Sequence, residues 1–583
     1  MPASTTISLG AYVRRHRSRI RQGIIFVFVS VAIHMGMPFI TRYAVDTLVD
    51  GDFRLGTILG YAAAYSLAAL AMAACGLRMR RILLSTGHQI EYEIRRDVFA
   101  HLARLDYYFF GRERTGDLMT KMTSDLTAVR EFVGQGLFQG ARTALSASLA
   151  FTIMFIINYR LALVMLFLLP TISLLFFFLL RLLRVRYADS QEQFSRISNF
   201  SQESFAGIRT LRGYAMEARQ QERFGNLNTD YIQLKMALSR VERPLWPAMV
   251  FLFGVGVVLI LWVGGRQVVA GQLTVGQFVQ FSQYLFFLQW PMLALGWTVN
   301  LWQRGMASWQ RIASILQAEP RIRDNEQTDH SITTIQGDIR FEQVALELEG
   351  TTVLHDINWV IPAGHTLGVT GPTGSGKTLL ASLLARLIDP THGRIMIGDN
   401  DIRTIPVDVL RREVGMAPQE AFLFSDTLAN NIGFGLDEPD PEKIFAAAEL
   451  AELHPDVEKF PARFDTWLGE RGVTLSGGQR QRTAISRALA RDPGILILDD
   501  VFSAIDTQTE AAIQARLQPV LHDRTTLIIS HRVSSLRHAD CILVLQDGRI
   551  TQSGTHAELV QQAGYYRELD EVQRLEACLE GVS

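Results

Sequence analysis

Six stretches within the first 303 residues are long enough and poor enough in charge to cross a bilayer core, which takes about 20 apolar helical residues. They are Gly23–Thr41, Leu55–Leu77, Thr143–Tyr159, Leu161–Leu180, Pro244–Gly265 and the far half of the uncharged segment Gln267–Gln303. The glycine-containing run Val268–Thr274 reads as a turn between the fifth and sixth. The connections are uneven: Asn158-Tyr159-Arg160 is short, whereas Arg78–Arg142 and Arg181–Arg243 are long, charged, helix-favouring and free of proline. They are expected to continue the spans as antiparallel helices of about 25 to 30 residues, projecting about 40 Å at 1.5 Å per residue. Short transverse segments are expected near Gly111–Thr120 and Thr210–Met216. From residue 317 to 334 the apolar periodicity disappears, and a linker is expected before an α/β domain. The predicted organisation is a six-span α-helical transmembrane domain over 1–316, a linker over 317–334 and a soluble domain over 335–583.

A net charge of −1 argues against nucleic acid as the main partner. Cys75, Cys541 and Cys578 have neither disulfide-framework nor metal-ligand spacing. Arg14, Arg15, Arg17, Arg19 and Arg21 precede an apolar stretch without a small-residue cleavage site, which reads as a retained span. The next loop sets Asp46, Asp50 and Asp52 against Arg42 and Arg54. The positive-inside tendency then places the N-terminus in the cytoplasm, and six crossings return the C-terminal half to the same side.

That half carries the run Gly371-Pro372-Thr373-Gly374-Ser375-Gly376-Lys377-Thr378, between the apolar Leu367–Thr370 and an apolar helix from Leu379. This is the strand-loop-helix setting of a P-loop. Backbone N–H groups and the helix N-terminus suit the phosphates of ATP, Lys377 its β and γ oxygens, and the Thr378 hydroxyl Mg²⁺. A second apolar strand, Ile495–Leu498, ends in Asp499, placed to hold Mg²⁺ through water, and then Asp500, placed as a base or water-orienting carboxylate. Leu475-Ser476-Gly477-Gly478-Gln479 opens another helix, whose hydroxyl and bare amides suit the γ-phosphate of a nucleotide held elsewhere.

In this order the motifs resemble those of half-transporters of the ATP-binding cassette superfamily with the exporter-type membrane domain. Gln419 in Met416–Glu420 resembles the Q-loop, Gly469-Glu470-Arg471-Gly472 the X-loop, and Leu475–Gln479 the signature. Asp506 in Ser503–Asp506 resembles the D-loop, and His531 the switch histidine. Phe109–Leu118 resembles the first cytoplasmic loop of exporters. The resemblance implies two cassettes closing head to tail on ATP and Mg²⁺. Gln419 would report on γ-phosphate and metal, and His531 would position γ-phosphate and water. It also implies an integral membrane protein of a bacterial inner membrane that exports a hydrophobic or amphipathic small molecule, lipid or peptide. A siderophore-type importer and an ATP-gated channel are the alternatives.

Two positions depart from the family pattern. Glutamate is expected where Asp500 stands, and an adenine-stacking aromatic where Leu348 stands. Aspartate with an intact signature resembles one member of an asymmetric pair, which implies a second half-transporter as partner. His34, Arg142, Gln280, Gln283 and Gln289 are the polar candidates for a transport path. The aromatics Phe278, Phe281, Tyr284, Phe287 and Trp290 beside them read first as helix packing.

Overall fold

The computed structural model describes residues 8–51, 54–348, 350–469 and 472–580. They form two compact units: residues up to Ala103 with Thr115–Ala318, and Arg104–Arg114 with Glu319 onward.

The first unit is helical: α1 (Leu9–Arg15), α2 (Arg17–Val49), α3 (Leu55–Leu102), then, past the segment that belongs to the second unit, a helix over Thr115–Ile157. Tyr159–Ala206, Ile208–Gly213, Glu217–Val269 and Val275–Gln317 follow. Four of these pass as spans by length and composition, Arg17–Val49, Leu55–Leu102, Thr115–Ile157 and Glu217–Val269. The fourth and sixth predicted spans lie in the 48-residue Tyr159–Ala206 and the 43-residue Val275–Gln317. All six long helices contribute to one apolar core, through Val31, Met79, Met154, Met165, Phe253 and Phe281 among others. On α3, by contrast, Leu67, Leu70 and Leu77 are about 70% exposed, the condition of a helix whose apolar solvent is lipid.

Breaks between helices follow local chemistry. Asn158, extended at φ −158°, ends one helix and caps the next by accepting from Leu161 N at 3.1 Å, so Tyr159 belongs to the fourth span rather than the third. Pro244, which lacks an N–H, sits at an interruption within Glu217–Val269. The predicted turn ends at Thr274, whose hydroxyl accepts from Gln277 N while Gln277 returns to Thr274 N, a reciprocal cap. Asp46 on α2 fixes that turn by accepting from Gly276 N at 2.8 Å and Thr274 Oγ1 at 3.1 Å.

The extensions are held together by charge. Buried Asp125 accepts from Arg311 Nε at 2.8 Å and Ser308 Oγ at 2.9 Å, and buried Glu91 pairs with Arg95 and Arg130. The basic N-terminal arm pairs too: His16 with Glu93 at 2.8 Å, Arg15 with Glu93, and Arg19 with Gln89, while Tyr12 Oη donates to Asp97.

The second unit starts with α4 (Tyr107–Arg112), earlier than the transverse segment expected near Gly111 because Asp106 supplies the N-cap. The other carboxylate oxygen of Asp106 accepts from Arg321 N at 2.7 Å, and the Arg321 guanidinium lies 4.7 Å from the Tyr108 ring centroid. Residues 318–338 carry neither helix nor strand and still are strapped down: Ile322 and Ile335 are buried, and Asp324 accepts from Val407 N.

Among the described residues ten strands follow: β1 (Ile339–Leu348), β2 (Thr351–Ile361), β3 (Thr366–Thr370), β4 (His392–Ile397), β5 (Asn400–Asp401) and β6 (Val414–Ala417), then β7 (Ile495–Asp499), β8 (Thr525–Ile529), β9 (Cys541–Gln546) and β10 (Arg549–Gly554). One sheet is antiparallel with order β2-β1-β4-β5; the other has order β10-β9-β3-β8-β7-β6 and is parallel except at β10. Strands β3, β7 and β8 are buried along their whole length, which is why they read as unbroken apolar runs rather than alternating ones. Parallel pairing of β6, β7, β8 and β3 brings the loops that follow them to one sheet edge, where α/β folds bind ligands.

Candidate active site

At that edge, five separated pieces of sequence line a cavity of 240 Å³, one of them Val353 of β2. Thr373, Gly374, Gly376, Lys377, Thr378 and Leu379 come from the loop and helix after β3, Gln419 follows β6, Asp499 and Asp500 end β7, and His531 follows β8. Gly371 must be glycine: its φ is 150°, and a Cβ there would lie 2.0 Å from Leu545 O. Gly371 and Pro372 shape the loop from outside the cavity wall by accepting from Lys377 Nζ at 2.9 and 2.8 Å, with Ser375 Oγ at 3.4 Å.

Thr378 Oγ1 lies 3.3 Å from Asp499 Oδ1, so a hydroxyl and a carboxylate converge, hard oxygen donors that fit Mg²⁺. Burial, with the charge of Asp500, raises the Asp499 carboxyl above its ordinary range against the opposing Thr378 bond and Lys377 charge. Burial lowers Lys377 while Asp500 and Asp499 oppose. Burial and the Lys377 charge lower the His531 imidazole below its ordinary value, against the opposing charge of Asp500. Asp500 is a non-glycine residue at φ 49°, fixed by its N–H to Ile529 O at 2.8 Å, and Gln419 Nε2 lies 3.4 Å from its Oδ2.

Residues 21–292 match the family model of the ABC transporter transmembrane region, and residues 354–503 match that of the ABC transporter. The chain is 33% identical to the multidrug resistance-like ATP-binding protein MdlA of Escherichia coli, over 98% of this chain and 97% of the relative. It is 34% identical to the ATP-dependent lipid A-core flippase of Desulfotalea psychrophila, over 84% of this chain and 86% of the relative. A solved structure of a bacterial Atm1-family ABC exporter with ATP bound is similar with a TM-score of 0.81 and 26% identity, covering 96% of this chain and 99% of that one. The chain belongs to the ABC transporter family. It is an integral membrane protein of the exporter type, a helical transmembrane domain fused to an ABC ATPase that binds ATP and drives transport.

In this ABC transporter the signature lies outside the cavity. Ser476 caps the helix Gly477–Ala490, accepting from Gln479 N at 3.3 Å while its own N–H donates to Gln479 Oε1 at 3.0 Å. Gly478 approaches the D-loop so closely that a Cβ would lie 3.0 Å from Ala504 O. Gln481 links the two, donating to Ser503 Oγ and accepting from Ala504 N, both at 2.9 Å. Asp506 is an exposed N-cap that accepts from Thr509 N. Leu348 does not line the cavity either; it is half-buried at the end of β1, packed on the apolar core, and Val353 of β2 forms the wall instead. Glu470 and Arg471 of the X-loop lie outside the described residues.

One contact to the switch loop escapes any motif. Gln573, on the C-terminal helix Tyr565–Glu580, donates through Nε2 to His531 O at 2.7 Å and accepts from Val533 N at 2.9 Å. It is a positioning residue, since it holds the backbone on both sides of Arg532. Gln573→Ala is expected to lower kcat for ATP about tenfold with KM for ATP little changed, the result of a displaced group rather than of lost binding. Steady-state ATPase kinetics would check this; a rise in KM alone would contradict it.

Proposed function

We propose that this ABC exporter half moves a hydrophobic or amphipathic small molecule, lipid or peptide outward as one member of a heterodimer, with both termini in the cytoplasm. Its own nucleotide site would turn over slowly while its signature completes the partner's site. What carries this reading is the pairing of a short carboxylate at Asp500 with an intact, reciprocally capped Ser476–Gln479.

In its own site the P-loop from Gly371 to Thr378 would cradle the phosphates, Lys377 would neutralise the β and γ oxygens, and Thr378, Asp499 and Gln419 would hold Mg²⁺. Bound Mg²⁺ would offset phosphate charge as the terminal phosphate departs. Asp500 would orient the attacking water from one methylene further away than glutamate, with His531 lining the same cavity to position the γ-phosphate. Ser476, Gly477, Gly478, Gln479 and Asp506 would face the partner's γ-phosphate. Leu348, half-buried on apolar packing, supports weak base discrimination, with binding dominated by the triphosphate.

The test is to isolate the tagged chain from its native membrane in mild detergent and weigh its stoichiometric companions. A second half-transporter with glutamate after its strand-end aspartate and an altered signature is expected. Recovery of this chain alone would make Asp500 the working carboxylate of a homodimer.

A further inference from the structure

The exposed Ser476 hydroxyl accepts from Gln479 N, and among the described residues its proton is donated to no group, so the O–H is left for a ligand. That cap closes only if the Gln479 side chain turns its oxygen, and not its nitrogen, toward Ser476 N. An amide is nearly the same size at both ends and can present either. Asp456 decides between them. Its Oδ1 accepts from Gln479 Nε2 at 3.2 Å, and a carboxylate accepts only. The reversed amide would set oxygen against oxygen at Asp456 and N–H against N–H at Ser476. The other carboxylate oxygen, Oδ2, pairs at 2.7 Å with Arg482 Nη2, whose side chain is 13% exposed and also donates to Glu452 O. Gln479 and Arg482 share one face of the helix Gly477–Ala490, and Asp456, from the short helix His454–Val457, bridges them from outside it. Buried Leu453 and Val457 anchor the bridging residue from both sides.

We infer that Asp456 is a positioning residue for ATP hydrolysis: by fixing the Gln479 amide it closes the cap on Ser476 and aims the Ser476 hydroxyl at the γ-phosphate held by the opposite cassette. Asp456 acts through Gln479, 23 residues further along the chain, and belongs to none of the motifs. A carboxylate beside an incoming phosphate would repel it, and the Arg482 guanidinium offsets that charge. Without Asp456 the Gln479 amide is free to turn over, the cap opens, and the hydroxyl loses its fixed direction. This inference rests on the reading in which the signature completes a second cassette's site, and it names the residue that holds the signature in shape.

The test is steady-state ATPase kinetics of the full complex as isolated, with ADP as competitor. Asp456→Ala is expected to lower kcat about tenfold, the effect of a displaced phosphate donor, and to leave inhibition by ADP, which has no γ-phosphate, unchanged. Asp456→Asn, equal in size, should lose nearly as much, because its one oxygen cannot serve both Gln479 and Arg482. Asp456→Glu keeps two acceptors and the charge and should recover part of the rate. On a Ser476→Ala background, Asp456→Ala should change kcat by less than about twofold, because the hydroxyl it positions is gone. Should the alanine variant not assemble, Asp456→Asn takes its place in that comparison. Parental turnover in Asp456→Asn, or a full further loss in the double variant, would overturn the proposal. So would ADP inhibition that weakens in step with kcat, the sign of a merely structural role. Ser476→Ala separates the two readings: parental turnover there would overturn the signature's part in a second cassette's site, whereas a slow Ser476→Ala beside a parental Asp456→Asn would overturn the positioning role alone.

Discussion

Asp500→Glu is expected to raise ATP hydrolysis at this chain's own site by about 10²-fold, measured in a complex whose opposite site is silenced. The shortfall of aspartate is about one methylene, and a misplacement of about 1 Å can cost that factor. The rest of the site is assembled: Thr378 is beside Asp499, and the backbone of Asp500 is fixed to Ile529. Position 500 has a left-handed backbone, φ 49°, which aspartate tolerates better than glutamate, so the faster variant should be slightly less stable, by less than about 2 kcal/mol. Unchanged turnover would mean that carboxylate reach does not limit the site.

Glu510→Ala should destabilise the nucleotide half. Glu510 is 1% exposed and accepts from Arg532 Nη1 at 2.6 Å, Ser535 Oγ at 2.6 Å, Ser534 Oγ at 2.9 Å and Gln514 Nε2 at 3.0 Å. Arg532 also donates to Ile505 O in the D-loop. Removing the carboxylate leaves the buried Ser535 hydroxyl without its acceptor and takes the ion pair from Arg532, which is a third exposed and keeps its bond to Ile505 O, at a cost of about 2–3 kcal/mol. Thermal unfolding of the purified complex should show the nucleotide half melting earlier, with Glu510→Gln between the variant and the parent. A melting curve unmoved by Glu510→Ala would show that the network is replaceable.

Legibility in the sequence tracks contiguity. The P-loop, the strand-end aspartates and His531 are each a local pattern on a strand-loop-helix, and parallel pairing brings them to one edge as their motifs imply. The spans are equally readable, since apolar length is local. What could not be read depends on partners far along the chain: Gln573 lies 42 residues from His531, and Asp106 lies 215 residues from Arg321. The distance of Leu348 from the P-loop is a local signal for the base, whereas which strand residue lines the cavity, Val353, depends on how β1 and β2 pair and leaves no local pattern. The interval 318–338 lacks periodicity because it is held by single hydrogen bonds and two buried isoleucines, which leave no pattern.

The membership of Arg104–Arg114 in the nucleotide unit bears on what counts as a separable cassette. A fragment cut at Glu319 would leave the Arg321 amide without its acceptor and uncover the apolar surface on which Tyr108 packs. The missing piece is an eleven-residue peptide encoded two hundred residues upstream. Gene boundaries and folding boundaries therefore do not coincide in this chain, and a transplantable ATPase module would have to carry that peptide, fused or supplied in trans.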